Sequence, residues 1–453
     1  MTSPSTSIPF RANAVEALAN SSLRAAMRNA TETFAKKRTE ATASLPLEEW
    51  RTQASDTRLR VLENLAEYVD RFSANAVRAG AKVHRADDAE AAVKIVGSIL
   101  MERAIEKVVK SKSMVTEEIH LNKYLEMLGF KVVETDLGEY IIQIAGEGPS
   151  HIIVPAIHKD RRQVGKLFSE KLGCEYSEDP AALTKIAKKI LRDEFLSAKA
   201  GISGANFAVA DSGSLVIFTN EGNGRMCTTL PQLHIAVLSI EKMIPSLSDL
   251  PKFMRLLPRS ATGQMLTTYM SVITGTRKTG ESTGAEELHI VLVDNGRSKI
   301  VDGEYREMLK CIRCGACLNA CPVYRLVGGH AYGATYPGPM GIVLTVLLEG
   351  MEKAHPLLDA TTLCGACGDV CPVKVPLPEL LHKLREERVE KGFTPFIEQQ
   401  GMMGFGIAAK SPELFSLGQT MARVLWPMAQ MIPGFGALER MPVPAQISFR
   451  RRV

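Results

Sequence analysis

A hydrophobic run long enough to cross a bilayer is missing: the longest, Ile342–Leu348, falls far short of the roughly 20 apolar residues a spanning helix needs. Excess charge is missing too. Fifty-five Lys and Arg against 50 Asp and Glu leave +5 over 453 residues, which gives no case for nucleic-acid binding. No Gly-x-Gly-x-x-Gly follows a strand-like run and no Walker sequence occurs, so nothing argues for a nicotinamide, flavin or ATP site. The amino terminus, Met-Thr-Ser-Pro-Ser-Thr-Ser-Ile-Pro-Phe, lacks the apolar run of a secretory signal. The expectation is therefore a cytoplasmic protein whose thiols stay reduced. With 45% hydrophobic and 23% charged residues, the chain has ordinary globular composition and length for two or three domains.

What is present is a concentration of cysteine. Seven of nine lie in Cys311-Ile-Arg-Cys314-Gly-Ala-Cys317-Leu-Asn-Ala-Cys321-Pro322 and its shorter echo Cys364-Gly-Ala-Cys367-Gly-Asp-Val-Cys371-Pro372. Cysteines three apart on a curling loop direct thiolates at different irons of one core, and in two-cluster ferredoxins the fourth ligand comes from the other motif. Crossing the ligands in this way assigns Cys311, Cys314, Cys317 and Cys371 to one [4Fe–4S] cluster. Cys321, Cys364 and Cys367 remain for a second.

At the second site Thr361 occupies the position of a first cysteine. Three readings stand: a [3Fe–4S] centre, a [4Fe–4S] cube whose fourth iron takes an oxygen, water or distant thiolate, or a site completed by a partner. Cys227 is a conceivable distant thiolate. Otherwise Cys227 and Cys174 read as buried small apolar residues. Zinc is the competing metal, but its sites are usually built from separated pairs of Cys or Cys and His. A disulfide framework does not suit a long chain with its cysteines confined to two loops.

Taken in order, residues 1–60 read as a helical arm. Residues 61–295 read as an α/β domain with leading helices, helical throughout from Leu59 to Lys112 on the rhythm of Leu62, Leu65, Val69, Phe72, Ile95 and Ile99. Expected strands are Lys131–Glu134, Tyr140–Ala145, His151–Pro155, Asn206–Ala210, Ser214–Thr219, His234–Ser239, Leu266–Ile273 and Glu287–Val293, with helices at Pro180–Leu191 and Asp193–Ala198. This mixture predicts a three-layer α/β architecture. Residues 296–392 form a cluster domain, in which 42 residues between Cys321 and Cys364 include the helical Gly341–Glu349, and helix Leu377–Glu390 follows the second Cys-Pro. Such an insertion predicts an α-helical ferredoxin domain. Residues 393–453 form a tail with Met402, Met403, Phe405, Trp426, Met428, Met431 and Phe435, ending Arg450–Arg452. It reads as a docking face for another subunit, as packing against the chain's own α/β domain, or as peripheral membrane contact.

Other polar spots carry weaker signals. Asn220-Glu221-Gly222-Asn223-Gly224-Arg225 follows a strand: Glu221, Asn223 and Arg225 form a candidate anion cradle, against the plainer reading of a tight hairpin turn. His158-Lys159-Asp160-Arg161-Arg162 is placed to meet phosphate or carboxylate, or is a solvated helix face. Glu117 and Glu118 suit a first helical turn. His330, His355 and His382 are conceivable ligands, though surface histidines are commoner.

Asp211-Ser-Gly-Ser-Leu-Val-Ile-Phe-Thr-Asn-Glu-Gly-Asn223, Thr116-Glu-Glu-Ile119 and the two cysteine motifs together resemble the LutB family, the iron–sulfur subunit of bacterial lactate utilisation. The resemblance implies a lactate-utilisation (LUD) domain of the sugar-phosphate-isomerase and CoA-transferase-like type, followed by the ferredoxin domain. It implies LutA-like and LutC-like partners and oxidation of L-lactate, a small 2-hydroxy acid, to pyruvate at the level of the complex, this chain relaying electrons. The alternatives are a relay for a glycolate oxidase or heterodisulfide-reductase-like system, or structural clusters in a ligand-binding or regulatory protein. The resemblance marks no catalytic residue.

Overall fold

The structure, a computed structural model, describes residues 7–429. Ten strands are formed: β1 (Lys82–Ala86), β2 (Lys107–Lys110), β3 (Lys131–Glu134), β4 (Ala200–Ser203), β5 (Phe207–Val209), β6 (Ser214–Thr219), β7 (Leu233–Ser239), β8 (Met243–Ile244), β9 (Tyr269–Ile273) and β10 (Glu287–Val293). Six of them make a wholly parallel sheet in the order β1-β10-β7-β4-β2-β3. A smaller sheet, β8-β5-β6-β9, carries the β5–β6 hairpin with β9 antiparallel on its outer side.

Alternation along the strands divides the core. Val108 and Val132 join Val93, Val96 and Leu100 of helix Ala89–Glu102, with Leu121 and Leu125, on one face. Their neighbours Val109 and Val133 face Tyr140, Ile141, Phe168, Leu183, Leu191 and Phe195 on the other. Successive side chains of a strand point to opposite faces, so the paired valines of β2 and β3 are apolar on both sides of a parallel sheet covered by helices. This is a mixed α/β architecture with helices on both faces of a parallel sheet.

Four expectations about local structure are corrected. Leu59–Lys112 is not helical throughout, because β1 and β2 interrupt it; strands of five and four residues, Lys-Val-His-Arg-Ala and Lys-Val-Val-Lys, are too short to show a period of their own. Tyr140–Ala145 is helix, within Leu137–Ala145. Asp136 caps it, its carboxylate accepting from Gly138 N and Glu139 N, and this local signal outweighs the β-branched run behind it. His151–Pro155 is a turn: His151 Nδ1 accepts from Ile153 N at 2.9 Å and Val154 N at 3.1 Å, while Pro155 has no N–H to offer a ladder. The two helices expected at Pro180–Leu191 and Asp193–Ala198 are one, Pro180–Ser197, with Asp179 as its cap.

Helices Phe10–Ala19, Ser21–Thr42 and Leu47–Glu63 open the chain, and Ser21–Thr42 lies against helices Leu250–Thr262, Ala316–Ala320 and Pro322–Val327. Between 296 and 385 the described residues form helices and 3-10 turns without a strand, including Gly338–Glu349 and the start of Leu377–Glu390. The contact pattern makes everything to Arg385 one compact unit and Glu386 onward a second. In the second unit, helices Phe396–Ala409 and Pro412–Ala429 pair, with the Phe405 and Phe415 rings 6.4 Å apart. Met402, Met403 and Phe405 lie on the first of these helices, whereas Met431, Phe435 and Arg450–Arg452 fall outside the described residues.

Phe168 has no solvent exposure and stands edge-on to Tyr140 in the second core cluster. Phe168→Ala is expected to destabilise the chain by about 3–5 kcal/mol, read as a lower urea midpoint in anaerobic unfolding; an unchanged midpoint would show that this core layer is not cooperative with the rest.

Candidate functional site

The two cysteine segments fold alike. Arg313 and Gly315 flank Cys314 with φ of +58° and +76°, and Leu363 and Gly365 flank Cys364 with +55° and +85°. A left-handed residue on each side of the cysteine curls the loop before a short helix begins, at Ala316 in one case and Ala366 in the other. In this repeat Cys364 matches Cys314, Cys367 matches Cys317, and Thr361 matches Cys311. The hydrogen bonds match as well: Arg313 N donates to Cys311 Sγ at 3.4 Å, and Leu363 N donates to Thr361 Oγ1 at 3.1 Å.

Four thiols, those of Cys311, Cys314, Cys317 and Cys371, line one cavity with Met308, Ile312, Met340, Val373, Val375 and Leu377. Cys321, Cys364 and Cys367 line another with Thr361, Thr362 and Leu381. The long motif thus sends its last cysteine to the second cavity and receives Cys371 from the short one. Burial, then the charge of neighbouring sulfurs, pushes Cys314, Cys317 and Cys371 upward. Burial and Cys321 raise Cys367 to about 12. Thiols crowded in apolar walls ionise together only against a bound cationic core, so the donor set fits a thiolate-ligated metal cluster. Cys364 differs: it is exposed, and a hydrogen bond with Thr362 lowers it.

Basic side chains hold these loops by their carbonyls. Arg51 donates to Cys371 O at 2.9 Å and Gly368 O at 3.2 Å, and Arg38 to Val370 O at 3.2 Å. Lys310 Nζ reaches Lys374 O at 2.8 Å. The arm helices that carry Arg38 and Arg51 therefore secure the loop of the short motif. On the other side, Gly315 approaches His151 so closely that a Cβ there would stand 3.0 Å from the imidazole. Burial lowers His151 to about 3, so the ring is neutral. Its Nδ1 accepts from the turn, which leaves Nε2–H for Asn319 Oδ1 at 3.3 Å.

Beside the first cysteine set a cavity of about 470 Å³ opens beyond the carboxyl ends of β2, β4, β6 and β7, the usual place for a ligand in a parallel α/β sheet. Lys112, Asp136, Glu221, Asn223, Lys242 and Arg313 supply its polar lining. Arg313 is the shared wall, since it sits between Cys311 and Cys314. Glu241, fully buried, holds Arg313 at 3.3 Å and Arg297 at 2.8 Å. Burial alone would raise the Glu241 carboxyl; Arg297 and Arg313 outweigh it and hold it at about 2. Arg297 in turn takes Glu118 at 2.6 Å, and Tyr336 donates to Glu118 at 2.7 Å.

The weaker sequence candidates separate here. Glu221 and Asn223 line the cavity, and Arg225 is exposed and does not. The chain after β6 enters helix Asn223–Thr229 and does not turn back as a hairpin, since its Gly222 start is helical. His158 and Lys159 pair with Glu147 at 2.7 and 2.6 Å, while Asp160 caps helix Arg161–Leu172 in a capping box with Gln163. Cys227 is core, its thiol 3.3 Å from Thr135 Oγ1, and does not line the second cysteine cavity. Cys174 packs at the edge of that core. His330, His355 and His382 do not line either cysteine cavity. Sequence reasoning missed Lys242, Asp136, Arg313, Glu241 and Arg297. The available signal was a Glu-Lys pair directly after a wholly buried strand, and an arginine inside Cys-x2-Cys.

Comparison with known proteins follows this division. Residues 69–293 match the LUD domain and residues 307–375 a 4Fe-4S dicluster domain. Lactate utilization protein B of Shouchella clausii is 46% identical over 98% of this chain and 96% of its own length. The chain belongs to the lactate utilization protein B family. Its Bacillus subtilis member is 45% identical over 94% of this chain and 88% of its own. An Escherichia coli relative named uncharacterized electron transport protein YkgF is 47% identical over 82% of this chain and 78% of its own. Among the described residues no helix is long and apolar enough to cross a membrane.

Glu241→Gln leaves the buried Arg313 guanidinium without its counter-charge and removes one of the two carboxylates that hold Arg297, and is expected to destabilise the chain by about 3–5 kcal/mol, measured by denaturant midpoint. Glu118 is also held below its ordinary 4.5: burial would raise it, but Arg297, Tyr336 and Asn295 prevail. A depressed carboxylate contributes its stability above the unfolded value and loses it as pH falls through the folded one. Melting temperature should drop below pH 4.5, and Glu118→Gln should flatten that acid limb; an unaltered acid limb would dismiss the assignment.

Proposed function

We propose that this chain is the iron–sulfur electron-transfer subunit of a complex that oxidises L-lactate to pyruvate. The observation that carries the reading is the crossed convergence of seven thiols into two sets within a family whose members are named for lactate utilisation. Cys311, Cys314, Cys317 and Cys371 would hold a [4Fe–4S] cluster in an α-helical ferredoxin fold. Cys321, Cys364 and Cys367 would hold a second, [4Fe–4S] or [3Fe–4S]. Thr361 Oγ1, standing where the repeat has Cys311 Sγ, is the natural oxygen at the fourth position or the mark of a three-iron centre. Iron–sulfur clusters accept and release one electron at a time, so two of them divide the pair released when a 2-hydroxy acid becomes a 2-oxo acid.

The chain's own residues set the conditions for that transfer. Backbone N–H groups of Arg313 and Val375 donate to Cys311 Sγ and Cys371 Sγ at 3.4 and 3.2 Å, which favours the reduced, more negative state. Arg313 adds a fixed positive charge within the first loop. Apolar walls exclude water from that set, whereas Cys364 meets solvent and makes the second set the side for exchange with another subunit. LutA-like and LutC-like subunits are the partners this reading calls for, with the paired helices after Phe396 as a docking surface and the cytoplasm as the compartment. The four-part division at 60, 295 and 392 is the corresponding domain proposal.

Anaerobic iron and sulfide analysis with electron paramagnetic resonance tests the ligand sets. Cys314→Ser is expected to remove one cluster, and Thr361→Cys to convert the second signal towards an ordinary cube; two full clusters in Cys314→Ser would refute the crossed pairing. In the purified complex, L-lactate should reduce the clusters. Reduction by glycolate alone would move the chain to a glycolate-oxidising relay, and redox-inert clusters would make them structural.

A further inference from the structure

The cavity beyond the sheet is lined by a lysine that no hydrogen bond or salt bridge engages among the described residues. Lys242 is only 7% exposed, and its ammonium has no hydrogen-bond or ion-pair partner among the described residues. Burial, then Arg313, pushes it down to about 7 against the pull of Glu241, so an arriving anion would favour its charged form. By contrast Lys112, on the same wall, is already neutralised by Glu139 at 2.6 Å. Asn223 is 3% exposed, and its Oδ1 is buried without a partner. Buried polar groups are ordinarily satisfied, so the unpartnered Asn223 Oδ1, in the same cavity lining as a lysine with no bonded partner, marks a place waiting for a ligand.

The remaining lining narrows the chemistry. Glu221, an exposed residue, accepts from Leu137 N at 3.2 Å; partial desolvation and then the neighbouring Asp136 raise its carboxyl. A cavity with one lysine that nothing bonds, beside an arginine already shared with Glu241, and an acid–carboxylate pair elsewhere is matched by a molecule with a carboxylate and a hydroxyl. Leu137, Ile141, Ile152 and Leu257 supply apolar wall for a short carbon chain. At about 470 Å³ the space suits a small organic acid with accompanying water.

We propose that this cavity binds a small 2-hydroxy carboxylate, with Lys242 and Arg313 receiving the carboxylate and Asn223 and Glu221 the hydroxyl end. The organic acid is thus held by this chain and not solely by a partner, and Arg313 joins its carboxylate to the loop of the first cysteine set. This rests on the lactate-oxidising reading and adds the place of binding to it.

The test is isothermal titration of the full chain, prepared anaerobically with its clusters, using L-lactate, pyruvate and inorganic phosphate as separate probes. One saturable site for L-lactate and pyruvate is expected, with affinity at least tenfold weaker in Lys242→Met. Glu221→Leu should weaken L-lactate more than pyruvate, because only L-lactate has a hydroxyl to donate. If Lys242→Met does not fold, Asn223→Asp carries the test; its added negative oxygen should cost at least tenfold for both acids. Absence of binding, binding unchanged in the folded variants, or binding of phosphate in preference to both acids overturns the proposal. A parallel dithionite reduction, followed by electron paramagnetic resonance, separates the two claims. Reducible clusters without acid binding remove only this site, whereas inert clusters remove the relay itself.

Discussion

A carboxylate without solvent exposure, that of Glu241, holds two guanidinium groups that belong to different parts of the chain: Arg297 after the last strand of the parallel sheet, and Arg313 inside the first cysteine loop. A third, Arg58 of the opening helices, donates to the carbonyls of Glu241, Met243, Lys310 and Leu309. Three buried arginines and one buried glutamate would be prohibitively costly apart. Together they oblige the strand end after β7, the segment after β10, the arm and the cysteine loop to meet at one place. The proximity of a ligand-sized cavity to four thiols follows from that constraint, since Arg313 lines the cavity and lies in the chain between Cys311 and Cys314.

The same constraint explains why β7 is so strongly apolar. It lies at the sheet centre between β10 and β4, every residue buried, and it delivers Glu241 and Lys242 to the carboxyl edge. His234, its one ring, is neutral because burial lowers it to about 4, and it bonds Ser203 at 2.7 Å across to β4. A rigid strand carrying two charges into a dry edge positions them better than a loop would, which is the general reason binding groups cluster where parallel strands end.

Sequence reasoning reached different depths in different parts. β3, β6 and β10 were legible to the residue because turn residues bound their apolar runs. β1, β2 and β4 were not, for physical reasons: four or five residues inside a helical rhythm, or the small Ala-Gly-Ile-Ser of β4, carry no period. Gly201 in that strand is required by packing, since a Cβ would stand 1.8 Å from the Cys227 carbonyl, a contact no composition reveals. The cysteine grouping was legible because local spacing dictates it. Lys242 and Asn223 were not separable from ordinary surface polar residues until the sheet placed them on one wall, as neither belongs to a motif.

The two cysteine sets, although they repeat one backbone conformation, are placed in unlike surroundings, and the difference has a direction. The first is enclosed by apolar residues, with Arg313 against it and guanidinium groups of the arm on the adjoining loop carbonyls; positive charge in a dry site favours gain of an electron there. The second has an exposed cysteine and hydroxyl oxygens from Thr361 and Thr362 at its rim. Solvent and an oxygen donor change the charge balance of such a centre and open it to another protein. An acid held at the sheet edge would therefore face the enclosed set first, and the open set would be the point of departure. The reverse order would lead the electron out through a cavity walled by Lys242 and Arg313, which the burial of those side chains argues against.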